Sequence, residues 1–396
     1  MTPGGATLDS RCRQILELLL PVLVVGGVLA AAIGVHLHDY GGNLTGFVQF
    51  GSYFAKATRP PHGAVVLSGS SRYGYDGQFY YAFARDPLLL HDSTLKSFGG
   101  EAFRSWRVAY PAVAFLLSGG QQQALPAALL AVNVAVVLAL TAAFAVYARR
   151  RGWSPLWALA VGLLPGFLLA TLRDLTDPLA AATAIGGLLA WNSRRRVLAA
   201  SLLTFAVLGR EVMILAVVAV ALEVGIGAWR SRTDEGAVRR RLRDAWPVLA
   251  VPTAAFICWQ VYVAARYGTL LQGAGTTKPF VTFIYGIRDA SRLGSSSSGA
   301  WDIAYELLIL AATAAAVLSM RRRLSVLSIG AVLLALSVAI GRFSPIWGDT
   351  RDSLPVFALL LVIGLENRSR LNLSICVAAA AMTALIPVAI PGIFPA

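Results

Sequence analysis

The sequence predicts an all-α, polytopic membrane protein with about eleven transmembrane helices and a long first extracytoplasmic loop. Three observations carry that prediction. The 396-residue chain is 57% hydrophobic and only 14% charged, against about a quarter charged in a soluble domain. Apolar runs such as 124–147 and 246–265 recur along it, each near the length of about 20 residues that crosses a bilayer core. Arginine clusters separate them, at Arg11/Arg13, 149–151, 194–196, 230–243, 321–323 and Arg368/Arg370. One such run could be a buried helix, but so many of them, punctuated by arginines, could not all lie in a soluble core. The net charge of +14 therefore reads as topology rather than as nucleic-acid binding, because the arginines alternate with the spans.

With every arginine cluster on the cytoplasmic side, spans must fall between clusters in even numbers. The arrangement that satisfies this places spans at 15–36, 124–148, 154–172, 178–192, 197–210, 211–228, 246–266, 301–319, 324–341, 352–366 and 371–391, with the N-terminus inside. The first run follows Arg11 and Arg13 and exceeds the apolar region of about 7–15 residues in a cleaved signal peptide. It reads as a retained span, with cleavage near 30–32 as the alternative. Segment 108–117 is apolar but short, and reads as an interfacial or re-entrant helix. The stretch 197–229 carries Arg210-Glu211 near its middle. An ion pair is costly at the bilayer centre, so the stretch divides there into two short helices with the pair at the outer surface. The whole of 1–396 reads as a single integral membrane domain, with 37–107 as an extracytoplasmic loop containing short interfacial helices. Cys12, Cys258 and Cys376 form neither a metal motif nor a disulfide framework.

The polar segments then fall outside, at 36–107, 173–177, 210–211, 266–302 and 342–352. The first is far longer than an ordinary connection of about 4–6 residues. It contains Arg72-Tyr73-Gly74-Tyr75-Asp76-Gly77-Gln78-Phe79-Tyr80-Tyr81 and then Ala84-Arg85-Asp86-Pro87. Glycines beside Asp76 let the backbone approach a ligand closely. Tyr75, Phe79, Tyr80 and Tyr81 offer flat faces of the kind that stack on sugars. Asp76 could equally cap a helix starting at Gly77, and Asp86 before Pro87 fits a cap. In the second outer connection, Arg173-Asp174-Leu175-Thr176-Asp177-Pro178, Asp177 fits a helix start, while Asp174 is not needed for one. Asp174 and Asp177 with Arg173 could bind a phosphate-bearing or hydroxylated ligand, or be solvated charge. Arg210-Glu211 is either an ion pair at a helix junction or, through Arg210, a contact to an anionic headgroup. Lys278, Arg342 and Arg351 complete a basic set on the same side, and arginine forks match phosphate geometry. Interfacial Trp347 and the arginines could also be membrane anchors.

The ordering of a first span, a long outer loop with an acidic residue, and many spans with short outer loops resembles the GT-C superfamily of membrane glycosyltransferases. The stretch Tyr73-Gly74-Tyr75-Asp76-Gly77-Gln78-Phe79-Tyr80-Tyr81 with Ala84-Arg85-Asp86-Pro87 is similar to a bacterial subgroup linked to cell-surface glycopolymers. So are residues 104–111, Asp174-Leu175-Thr176-Asp177-Pro178-Leu179 and Leu208-Gly209-Arg210-Glu211. The likeness covers most of 15–230. The tyrosine-rich motif is fairly specific and the others are weak singly. The resemblance implies a GT-C-like fold in a bacterial inner membrane, a polyprenyl-phosphate sugar as donor, a glycan or lipid acceptor, membrane lipids as surroundings, and no nucleic acid. It puts Asp76 in the place of the catalytic acidic residue. Many GT-C enzymes show two adjacent acidic residues there and this chain shows one, which leaves the metal requirement and the base assignment open.

The implied reaction needs a base for an acceptor hydroxyl and cations for a phosphate leaving group. Asp76 is the candidate base, and Arg210, Lys278, Arg342 and Arg351 are the candidate cations. Tyr75, Gln78, Tyr80, Tyr81, Asp174, Asp177 and Glu211 are expected around sugar or acceptor. Two other classes fit the same composition. A flippase for polyprenyl-linked glycans requires ionisable residues deep within spans, and Glu306 is among the few. A non-catalytic scaffold of a glycan-synthesis complex would tolerate loss of Asp76.

Overall fold

The computed structural model describes residues 8–97, 102–267, 297–340 and 350–389. It is helical almost throughout; its one sheet among the described residues is a two-stranded parallel bridge pairing Phe50–Gly51 with Val66–Leu67. Five described helices are long and apolar enough to cross a membrane: Cys12–Asp39, Leu125–Arg150, Glu211–Arg230, Glu235–Tyr267 and Gly299–Arg322. Shorter apolar helices accompany them, including Arg196–Gly209 and Arg370–Leu385. This architecture is consistent with a membrane protein.

The centre of the bundle is the Leu354–Asn367 helix, whose residues 354–365 are all buried. Its far end is clamped by Tyr147 and Arg151, which both donate to Glu366 Oε1 at 2.7 and 3.0 Å, and by Trp153, which donates to the Leu365 carbonyl at 3.0 Å. Helix Asp177–Asn192 packs on Arg196–Gly209 through small residues. A β-carbon added at Gly187 would lie 2.7 Å from Leu203, and one at Gly209 would lie 3.1 Å from Ala180. Where apolar surroundings supply little drive for helix association, such close approach is what holds helices together.

Three local outcomes bear on the expected spans. The segment expected to cross at 154–172 is broken into Pro155–Ala158, Leu159–Gly162 and Pro165–Thr171. Leu164 is extended at ψ 132° because Pro165 follows it, as sterics before proline require. The Leu163 carbonyl left open by that break accepts a hydrogen bond from the Thr383 hydroxyl. Helix Arg196–Gly209 ends at Arg210, which is extended at φ −157°, ψ 127°, and a 3-10 turn over Glu211–Met213 leads into helix Ile214–Arg230. Segment 108–117 is the ten-residue helix Ala109–Ser118.

The first loop is a folded layer over one end of the bundle. Asn43 Oδ1 accepts from the Thr45 amide and hydroxyl at 3.1 and 2.8 Å, and Thr45 Oγ1 accepts from the Val65 amide at 2.8 Å. The last turns of Glu235–Tyr267 hold the layer from the side. Trp259 Nε1 donates to the Ser105 carbonyl at 2.9 Å, Arg266 Nε donates to the Leu89 carbonyl at 2.8 Å, and the Tyr262 hydroxyl donates to the Leu88 carbonyl.

Candidate functional site

The tyrosine-rich motif is shaped by backbone-on-backbone contact. Gly74 has φ +61°, and a β-carbon there would fall 2.3 Å from the Gln49 carbonyl; one on Gly51 would fall 2.3 Å from the Gly74 nitrogen. Only glycine fits both the conformation and the approach. Gln78 locks the turn: its Oε1 accepts from the Gly51 amide at 3.1 Å and its Nε2 donates to the Tyr73 carbonyl at 2.8 Å. Gln78 is fully buried, so it braces the motif from inside.

Asp76 precedes helix Gly77–Ala84 but does not cap it. Its backbone is already helical, at φ −61°, ψ −24°, and its carboxylate makes no capping bond. The side chain turns to Arg104, whose Nε and Nη2 donate to Asp76 Oδ1 at 3.1 and 2.9 Å. Oδ2 accepts nothing from the described residues. The Arg104 guanidinium lies 4.1 Å over the Phe79 ring, which fixes its plane. These groups, with Phe54, Tyr73, Gly74 and Tyr75, line a cavity of about 310 Å³. Asp76 is 28% exposed on it.

Tyr75 links this cavity to a charged cluster made from three further connections. Arg173 lies 4.7 Å and Arg351 lies 5.9 Å from the Tyr75 ring centre. Arg173 also donates to Gln49 Oε1 at 2.7 Å. Burial brings Arg173 down to about 10, with the charge of Arg351 acting the same way and Tyr75 and Tyr40 opposing it. Arg351 Nη1 meets Asp177 Oδ2 at 3.3 Å, Arg210 Nη1 pairs with Asp177 Oδ1, and Arg210 Nη2 meets Asp352 Oδ1 at 2.6 Å. Arg210 is thus spent between two carboxylates inside the protein, and is not presented to a headgroup.

Glu211 faces elsewhere. Arg107 grips it through Nε at 2.9 Å and Nη2 at 2.6 Å, and Arg107 Nη1 donates to the Tyr80 hydroxyl at 3.0 Å. Arg210 and Glu211 therefore do not pair with each other. Tyr80 and Tyr81 are buried in the layer, the Tyr81 hydroxyl donating to the Gln122 carbonyl at 3.4 Å. Asp86 acts as a local cap, accepting from the Leu90 and His91 amides and the Thr94 hydroxyl at 2.8–2.9 Å.

Asp174 is fully buried in a left-handed conformation at φ +48°. Among the described residues neither carboxyl oxygen has a hydrogen-bond partner. Burial pushes its carboxyl well above the ordinary carboxylate range. Strain and an unsatisfied polar group at one residue are the kind of feature that gathers at functional sites.

Of the expected site residues, the structure brings Tyr75, Asp76, Asp177, Arg210 and Arg351 into one contiguous region. It sets Gln78, Tyr80, Tyr81 and Asp174 in the packing beneath it, and joins Glu211 to that packing through Arg107. Lys278 and Arg342 lie outside the described residues. Arg104, Arg107 and Asp352 were not singled out from sequence. Arg104 and Arg107 carried two usable signals: they lie in the 104–111 stretch of the resemblance, and in a segment that the topology puts opposite the arginine clusters. Among the described residues no three His, Cys, Asp or Glu side chains gather to hold a metal ion. No protein-family model, curated protein or solved structure matches the chain.

Proposed function

We propose that the protein is a GT-C-like glycosyltransferase of a bacterial inner membrane. In this reading about eleven helices span the bilayer, the N-terminus and arginine clusters face the cytoplasm, and the Asp76 cavity opens on the extracytoplasmic side. The observation that carries it is Asp76 itself. Its Oδ1 is held by Arg104, its Oδ2 is uncommitted among the described residues, and it lines a cavity walled by Phe54, Tyr73, Tyr75 and Phe79. Aromatic walls suit the apolar face of a sugar ring.

The substrate would be a sugar on a polyprenyl phosphate. An acceptor hydroxyl attacks the anomeric carbon and gives its proton to Asp76 Oδ2. The bond from that carbon to the phosphate oxygen breaks, and polyprenyl phosphate leaves with the electron pair. Arg104, Arg173 and Arg351 surround the motif and offset the charge that grows on the phosphate. With a lipid-linked donor no nucleotide site is required.

A polyprenyl-glycan flippase remains the second reading, supported by Glu306, which is buried within the long helix Ser297–Arg322. The test is transfer in membranes from a panel of radiolabelled polyprenyl-phosphate sugars, with wild type and Asp76→Asn at equal protein level. Transfer that collapses in the variant supports the enzyme and its base. Equal transfer by both removes Asp76 from the chemistry, and flipping without transfer favours the second reading.

A further inference from the structure

Helix Asp177–Asn192 carries Asp177 at one end and Trp191 at the other, about 20 Å away by helical rise. At the Trp191 end a second polar cavity of about 480 Å³ is lined by Arg194, Arg196, Arg240, Arg241, Glu223 and Asp244, among others. Its wall is built. The Arg196 guanidinium lies 3.8 Å over the Trp191 ring, and its Nη1 donates to the Trp191 carbonyl at 3.0 Å. Trp191 Nε1 donates to Glu223 Oε2 at 2.6 Å. Arg241 lies across Gly227, where any β-carbon would come within 2.6 Å of its Nη1. Arg194 sits at φ +60° just beyond the helix end, a position that usually falls to glycine, and it lines the cavity.

Four arginines here face two carboxylates. Among the described residues no ion pair within 4.0 Å joins any of the four to a carboxylate, although the charges of Asp244 and Glu223 both act on Arg196. The surplus of two positive charges matches a phosphate monoester, which carries about −1.5 to −2 at neutral pH. Topological bias accounts for arginines at this end of the bundle. It does not account for gathering them from two separate segments around one concavity on a stacked indole. Trp229 and Trp246, two residues beyond Gly227 and Asp244 in the chain, are 69% and 70% exposed, and exposed tryptophans of this kind suit headgroup depth.

We propose that this cavity binds the phosphate headgroup of an anionic membrane lipid. The assignment does not rest on the glycosyltransferase reading. Basic cavities between helix ends at the inner membrane surface suit such headgroups, and paired arginine forks match phosphate oxygens.

The test titrates the detergent-solubilised full chain with phosphatidic acid and with phosphatidylcholine and reads retained lipid by native mass spectrometry. Phosphatidic acid is expected to bind about tenfold or more tightly than phosphatidylcholine. The double variant Arg240→Gln/Arg241→Gln should lose that preference. Arg150→Gln, which removes an exposed arginine at the same end of the bundle, should keep it. If the double variant does not fold, Arg194→Gln serves in its place. The proposal is overturned if wild type shows no preference, or if Arg150→Gln loses it equally. Inorganic phosphate alone forms the second arm, followed by tryptophan fluorescence. If it binds wild type as tightly as phosphatidic acid does and fails to bind the double variant, the site belongs to a soluble phosphate and the lipid assignment falls.

Discussion

Arg104 holds Asp76 by a single oxygen: Nε and Nη2, from 28 residues away, both donate to Oδ1. This orients the carboxylate while leaving Oδ2 uncommitted among the described residues. Asp76→Asn preserves the shape and removes the proton acceptor, so transfer should fall by about 10²–10⁴-fold with unchanged expression. Arg104→Lys keeps the charge but loses the planar fork and its stacking on Phe79. It should lower kcat with little change in thermal stability, and a wild-type rate in that variant would refute the orienting role.

The second prediction concerns Asp177, Arg210 and Asp352. Asp177 and Arg210 side chains are 3% and 9% exposed, so removing one partner strands a buried charge. Asp177→Asn or Arg210→Gln should destabilise the protein by about 3–5 kcal/mol. Thermal unfolding in detergent measures this. The paired apolar replacement Asp177→Leu with Arg210→Met restores the charge balance but takes these partners from Arg351 and Asp352, so it should recover only part of the loss; failure of both single variants to change the melting temperature would contradict the network.

A double-mutant cycle separates the two possible partners of Glu211. Arg107→Gln and Glu211→Gln should show a coupling within the range of about 0.5–3 kcal/mol found for contacting pairs. Arg210→Gln and Glu211→Gln, adjacent in the chain, should couple far less. Equal couplings would show that the neighbours pair with each other after all.

The geometry at Gly74 makes a prediction about the loop alone. Gly74→Ala must adopt φ +61° and meet the Gln49 carbonyl, at a cost of about 1–2 kcal/mol for the conformation alone and more for the contact. Proteolysis between residues 52 and 72 should accelerate in this variant while the helix bundle keeps its circular dichroism.

Asp174 supplies a pH dependence. Its folded carboxyl is raised above the ordinary value of 3.8 by burial. The folded state therefore retains a proton that the unfolded chain gives up, and stability from this group is full below 3.8 and is lost as pH rises toward the raised value. Asp174→Asn removes the ionisation. Its melting temperature relative to wild type should rise as pH is taken from 4 to 7, and a flat difference would exclude a buried neutral acid.

Much was legible before any coordinates. Apolar length and the arginine clusters foretold a helical membrane architecture, because lipid leaves helix as the main way to satisfy a backbone. The helix break at Arg210 was legible because a charged pair is costly within a span, and the Asp76 motif stood out by its glycines and tyrosines. Composition and periodicity could not say where each side chain goes once helices pack. The sequence of itself determined the apolar segments, the break between Gly209 and Ile214, and a chemistry-bearing first loop. Only the tertiary structure decided that Arg210 turns to Asp177 and Asp352 while Glu211 turns to Arg107, that Gln78 is a brace, and that Asp76 belongs to Arg104. An extended residue at a helix break sends consecutive side chains in different directions, and the partners they find are set by which loops the bundle gathers at one end.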